Sequence, residues 1–233
     1  MVFYIIGLGL NVRGISLHGK KVLKNVKKIY LEKYTIDLPY TKKDLEKELK
    51  IKIVESSREF IESEKIVEIA KKEDIVLLVY GSPLSATTHI SLINLCRDKK
   101  VKYKILYAGS IFDAVAESGL SLYKFGKTTN LPKWQKNFEP KSFIEIIKKN
   151  IEINAHTLLL IDIGLEFKDA KKQLKEAGLN ERVILCTKLG IKSKFYYDYL
   201  DKINQEEVKL PYCIIIPAKL ENYEEESLMR ACK

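Results

Sequence analysis

No CxxC pair and no Cys/His ligand spacing occurs in this chain, whose four cysteines, Cys96, Cys186, Cys213 and Cys232, lie far apart. A zinc centre is therefore not expected, and reduced thiols acting as small core hydrophobes are. GxSxG, P-loop and GxGxxG patterns are all missing, so nothing marks a hydrolase or a nucleotidase. The three histidines, His18, His89 and His156, are scattered and read as packing or capping residues. No apolar run approaches the ~20 residues of a membrane span. The amino terminus, MVFYIIGLGL, lacks the basic flank and small-residue cleavage site of a secretion signal. It reads as a first strand over 2–6, and a cytoplasmic protein without a membrane partner is expected. Repeats, low-complexity tracts, RNP-like aromatics and Arg-rich arms are absent too, which argues against direct nucleic-acid binding.

What the chain does have is an ordinary globular composition, 46% hydrophobic and 31% charged over 233 residues, enough to bury a real core. Its formal charge of +10 is spread through amphipathic segments such as 41–50 and 140–150, where lysines alternate with Glu and Asp. The most informative stretch is 75–89, IVLLVY followed by GSPLSATTH. The apolar run suits a strand buried on both faces of a parallel sheet. Gly81 and Pro83 end it, and Ser85, Thr87 and Thr88 stand where they would cap a helix over 89–99.

Strands and helices alternate along the whole chain. Strands are expected at 2–6, 26–31, 52–54, 75–80 and 103–107, with helices at 16–24, 44–49, 64–71, 89–99 and 111–117. Five parallel strands with covering helices make a first α/β domain, 1–112. An irregular stretch around 119–132 opens a second α/β domain, 113–233, with helices at 142–150, 167–177 and 224–230 and strands at 156–161, 183–186 and 212–216. Polar or glycine-bearing turns close four strands, at 7–10, 81–85, 109–111 and 162–164. Ligands of open α/β sheets bind at such strand ends, and a ligand lodged between the two domains would touch all four.

Six segments in succession then resemble one family, the diphthine synthases, within the tetrapyrrole-methylase-like class: FYIIGLGL (3–10), YLEKYT (30–35), GSPLSATTH (81–89), GSIFDAV (109–115), LYKFG (122–126) and HTLLLIDI (156–163). YLEKYT, ATTH and LYKFG mark the diphthine synthases rather than the wider class. The resemblance implies a homodimer of two-domain α/β subunits holding S-adenosylmethionine, and afterwards S-adenosylhomocysteine, in the cleft between the domains. It implies translation elongation factor 2 as protein substrate. The amine of the aminocarboxypropyl group on a modified histidine of that factor is methylated repeatedly, and in eukaryotic members the carboxylate is esterified as well. Carried over by position, the cofactor contacts are Leu10, Ser82, Ser85, Ser110, Ile111 and Ile161, with Leu189 and Tyr212 in the loosely aligned last third.

The chain also departs from the family pattern. Ser82 stands for an aspartate, Ser85 for a glycine, and Tyr212 for a histidine, and the second domain is short. A serine offers a neutral hydrogen bond where an aspartate offers a charge-assisted one. Methyl transfer from a sulfonium needs positioning and desolvation more than bond activation, so the lack of a triad is no obstacle. His89, Asp113, Tyr123 and Asp162 are the polar groups available for proton transfer, and no catalytic base is assigned among them. Rival readings are a methyltransferase of the same fold acting on a tetrapyrrole or ribosomal RNA, and a cofactor-weakened chain that only binds the elongation factor.

Overall fold

The computed structural model describes residues 1–54 and 56–232, and its contacts divide into two units, Met1–Asp113 and Ala114–Lys233. The first unit runs β1 (Val2–Gly7), α1 (Leu17–Leu23), β2 (Lys28–Leu31), α2 (Lys42–Leu49), α3 (Arg58–Ile61), α4 (Glu64–Ala70), β3 (Ile75–Val79), α5 (Ile90–Asp98) and β4 (Lys102–Leu106), with α6 (Ile111–Ala114) at its end. The strands form one parallel sheet in the order β2-β3-β1-β4.

Alternation along a strand sends successive side chains to opposite faces, and both faces here are covered. Ile75, Leu77 and Val79 join Phe3 and Ile5 beneath Ile66 and Val67 of α4 and Leu92 and Ile93 of α5. Val76, Leu78 and Ile6 pack on the other side against Leu23 of α1 and Leu45 of α2. All five residues of β3 are buried, and each buried Ile, Leu or Val contributes about 1.5–3 kcal/mol. Ser16 caps α1 by accepting from the Gly19 amide, and Thr41 with Asp44 forms a capping box on α2.

The second unit runs through two 3-10 turns (Val115–Ser118, Leu122–Lys124), β5 (Thr129–Leu131), α7 (Ser142–Glu152), β6 (Thr157–Ile161), α8 (Phe167–Glu176), β7 (Arg182–Thr187), β8 (Lys194–Tyr199), β9 (Tyr212–Ile216) and α9 (Asn222–Ala231). Its sheet is mixed, in the order β5-β6-β9-β7-β8, with β5 parallel to β6 and the other three pairs antiparallel. Phe143 and Ile147 of α7, Phe167 and Leu174 of α8, and Leu185 and Ile214 of the sheet share its core. Cys96, Cys186 and Cys213 are buried and free, and burial pushes the Cys96 thiol up to about 11.

Three expectations need correction. Residues 52–54 form no strand; only Val54 bridges Tyr30, because the backbone there turns to give the Ile53 amide to the Glu46 carboxylate. The first sheet thus has four strands rather than five. Ser85, Thr87 and Thr88 do not cap α5, whose N-cap is His89 with no side-chain bond to the helix; the Thr87 hydroxyl bonds the Pro83 carbonyl and that of Thr88 reaches Glu62 instead.

Candidate active site

In the first unit the loops after β1 and β3 are laced together by backbone. Leu8 donates its amide to the Val79 carbonyl at 2.8 Å, Gly9 to Gly81 at 3.1 Å, and Gly81 back to Gly9 at 3.0 Å. The Tyr80 hydroxyl donates to the Leu10 carbonyl at 3.1 Å. Gly9 and Gly81 hold φ of +66° and +71°, a region costly for other residues. Gly7 is required by closeness instead: a Cβ there would stand 2.6 Å from the Gly81 carbonyl oxygen and 3.0 Å from Pro83 Cδ.

The GSPLSATTH segment wraps around one carbonyl. Pro83 accepts from Thr87 Oγ1 at 2.9 Å and from His89 Nδ1 at 3.0 Å, and Ser85 gives its amide to Ser82 at 3.1 Å. Ala86 sits at φ +55°, a strained setting for alanine that this wrapping sustains. His89 is fully buried and its ring is fixed as the Nδ1–H tautomer, with Nε2 unpartnered among the described residues. Ser82 is buried, and its hydroxyl engages no other described residue. A Cβ at Gly81 would make ordinary contact with Ser110 Cα at 3.9 Å, whereas one at Gly109 would meet nothing within 4 Å. Ser110 starts α6, its amide and hydroxyl both donating to Asp113 Oδ2, at 2.7 and 2.9 Å.

The YLEKYT segment flanks this edge. Glu32, buried, follows β2 and accepts from the Tyr34 and Thr35 amides at 2.6 and 2.8 Å. Arg58 lies over the Tyr34 ring and pairs with Glu62, which Thr88 Oγ1 reaches at 3.4 Å. Leu10, Ser82, Ser85 and Ser110 belong to loops at the carboxyl edge of the parallel sheet, where such folds bind ligands, and Ile111 begins α6 beside them.

In the second unit, Ile161, Tyr212 and Leu189 gather at one end of the mixed sheet. Ile161 closes β6 opposite Leu131, Tyr212 opens β9 opposite Thr187, and Leu189 follows β7. The Tyr212 side chain is core: its ring meets Phe167 edge-on and its hydroxyl donates to the Leu165 carbonyl at 3.0 Å. Burial pushes that phenol well above its ordinary pKa. Three of the four polar candidates are engaged locally, and His89 bonds the Pro83 carbonyl. Asp113 holds Ser110, Asp162 accepts from the Lys133 and Ile163 amides at 3.0 and 2.9 Å, and Tyr123 is fully exposed.

The tetrapyrrole (corrin/porphyrin) methylase family matches residues 2–198 of this chain. The chain belongs to that family. Among curated relatives, diphthine synthase of Methanocaldococcus jannaschii is 36% identical over 250 aligned residues, covering 97% of each chain. Diphthine methyl ester synthase of Schizosaccharomyces pombe is 39% identical over 168 residues, 71% of this chain but only 59% of that longer relative. A solved diphthine synthase superposes with a TM-score of 0.91 at 28% identity, covering 100% of this chain and 96% of its own. The chain is thus a methyltransferase of the diphthine synthase branch, in diphthamide biosynthesis, and these relatives favour neither a tetrapyrrole nor a ribosomal RNA substrate.

One cluster of this methylase escaped the sequence reading. Glu224 on α9 is fully buried and holds the LYKFG turn: Lys124 Nζ donates to its Oε2 at 2.9 Å and the Ser121 amide to its Oε1 at 3.1 Å. His156 Nε2 donates to Oε1 at 3.1 Å while Nδ1 accepts from the Ala218 amide at 3.0 Å, which fixes a neutral ring. Burial lowers the His156 pKa further than the carboxylate raises it. Burial alone would push Glu224 up, yet bonds from the Glu221 amide, His156, Lys124 and the Ser121 amide override it and hold the carboxyl near about 2. Glu224 sits 100 residues from Lys124 amid other acidic residues, so no local spacing marks it.

Proposed function

We propose that this methylase transfers methyl groups from S-adenosylmethionine to the aminocarboxypropyl amine on the modified histidine of translation elongation factor 2, as a cytoplasmic homodimer. The supporting observation is the laced pair of glycine loops at the carboxyl edge of the parallel sheet, with Ser82 in the second of them. A Cβ at Gly109 would meet nothing within 4 Å, which leaves room for a ligand there, and the Ser82 hydroxyl has no partner among the described residues to compete with one. These residues fit the cofactor, with Leu10, Ser85, Ser110 and Ile111 beside them.

When bound, S-adenosylmethionine supplies an electrophilic methyl group on a cationic sulfur. The chain's own contribution is placement: fixed loops hold the reacting groups in line, and orientation alone can be worth effective molarities of ~10⁵ M or more. The interlocked backbone around Gly9 and Gly81 keeps that placement rigid without reorganisation. Ser82 offers a neutral hydrogen bond. The attacking amine must be uncharged, so its proton leaves before the methyl group arrives, and no residue of the chain is assigned to take it.

Calorimetric titration with S-adenosylhomocysteine tests the binding half of this reading. Micromolar to sub-millimolar affinity at one site per chain is expected; no heat of binding at millimolar ligand would overturn it. Light scattering should give twice the 26.9 kDa chain mass, and a monomer at micromolar concentration would remove the homodimer from the proposal.

A further inference from the structure

At the other end of the first sheet, where β2 begins, α1 and α2 both end beside a concavity of about 470 Å³. Five lysines line it, Lys20, Lys24, Lys27, Lys50 and Lys52. None of them has an ion-pair partner among the described residues, whereas Lys28, Lys99 and Lys175 are paired with Glu73, Glu64 and Asp201. The single carboxylate in the lining, Glu48, is turned to Arg13 at 3.1 Å. The carbonyl ends of two helices contribute about half a negative charge each, which offsets roughly one lysine and leaves a strong excess of positive charge. Leu23, Val26 and Ile29, all buried, form an apolar floor.

We infer that this concavity is a docking site for an acidic segment of a partner protein, one in which carboxylates alternate with aliphatic side chains. The lining contains neither an aromatic ring nor an arginine. Base stacking and bidentate phosphate recognition rely on those groups, so a nucleic acid is the poorer fit. Lysines answer carboxylates as point charges, and the aliphatic floor answers Leu, Ile or Val. The site is independent of the methyl-transfer reading, because the glycine loops lie at the opposite edge of the same parallel sheet.

The test is fluorescence anisotropy with a labelled peptide of alternating Glu and Leu, at low and at physiological salt. Lys24→Glu/Lys27→Glu/Lys52→Glu should weaken binding at least tenfold, and Lys24→Gln/Lys27→Gln/Lys52→Gln at least threefold, with thermal midpoint and S-adenosylhomocysteine affinity unchanged. A control with equal charge change in the other unit, Lys148→Glu/Lys168→Glu/Lys192→Glu, should lose less than twofold. Equal losses in the glutamate triple and this control would overturn the inference, as would oligouridylate binding as tightly as the peptide, or no peptide binding by the unaltered chain at millimolar concentration.

Discussion

Ser82 occupies a buried position, its hydroxyl has no partner among the described residues, and the resemblance to the diphthine synthases implies an aspartate there. A hydrogen bond to a charged group contributes about 1.5–3 kcal/mol, against roughly 1 for a neutral pair. Ser82→Asp should therefore tighten S-adenosylhomocysteine binding by up to about tenfold in a calorimetric titration. A large loss instead would mean that the loop has been rebuilt around serine. Gly7 tests the lacing itself, because its added Cβ would stand 2.6 Å from the Gly81 carbonyl that Gly9 uses. Gly7→Ala should cost about 1–3 kcal/mol of stability and at least tenfold in cofactor affinity. Unchanged values of both would show that the close approach is not needed.

Among the elements, the LYKFG turn, β6 and α9 are tied by one buried carboxylate. Glu224 ionises near about 2 rather than its ordinary 4.5, a difference on the order of 3 kcal/mol. The depressed value means that this stability is present above pH ~4.5 and is lost as pH falls toward 2. His156, also lowered from 6.5, adds a loss that begins below pH ~6.5, because the unfolded chain takes up the proton first. Glu224→Gln should destabilise by about 3–5 kcal/mol, and its thermal midpoint should fall less steeply below pH 4.5 than that of the unaltered chain. Parallel midpoint-against-pH curves would contradict this account of the turn. The elements that were plain in the sequence are those with a strong apolar signal: 75–79 and 212–216 are continuous runs buried on both faces. Thr129–Leu131 is three residues of edge strand, and Lys194–Tyr199 is a half-exposed edge strand carrying Lys and Asp, so neither shows a run. The loop positions Leu10, Ser82 and Ser110 could be named from strand ends and family pattern. Their lacing, the Pro83 carbonyl hub and Glu224 depend on contacts between segments distant in sequence, which no local spacing records.

For the molecule as a whole, the placement of ligand loops at strand ends follows from the topology. A parallel sheet points every strand's carboxyl end the same way, so the glycine turns of the first unit meet on one edge. No helix among the described residues is long and apolar enough to cross a membrane. Some lysines pair with carboxylates on helix surfaces, and the five that line the concavity at the start of β2 have no ion-pair partner among the described residues. Specificity for a protein substrate rests on the methyl group's destination, which binding of the cofactor alone does not report. The most direct measurement is transfer of labelled methyl from S-adenosylmethionine to elongation factor 2 bearing the aminocarboxypropyl histidine. Label should appear on that factor, be absent when its histidine is unmodified, and be absent from a tetrapyrrole acceptor. A modified factor left unlabelled while the cofactor binds, or a labelled tetrapyrrole, would contradict the assignment.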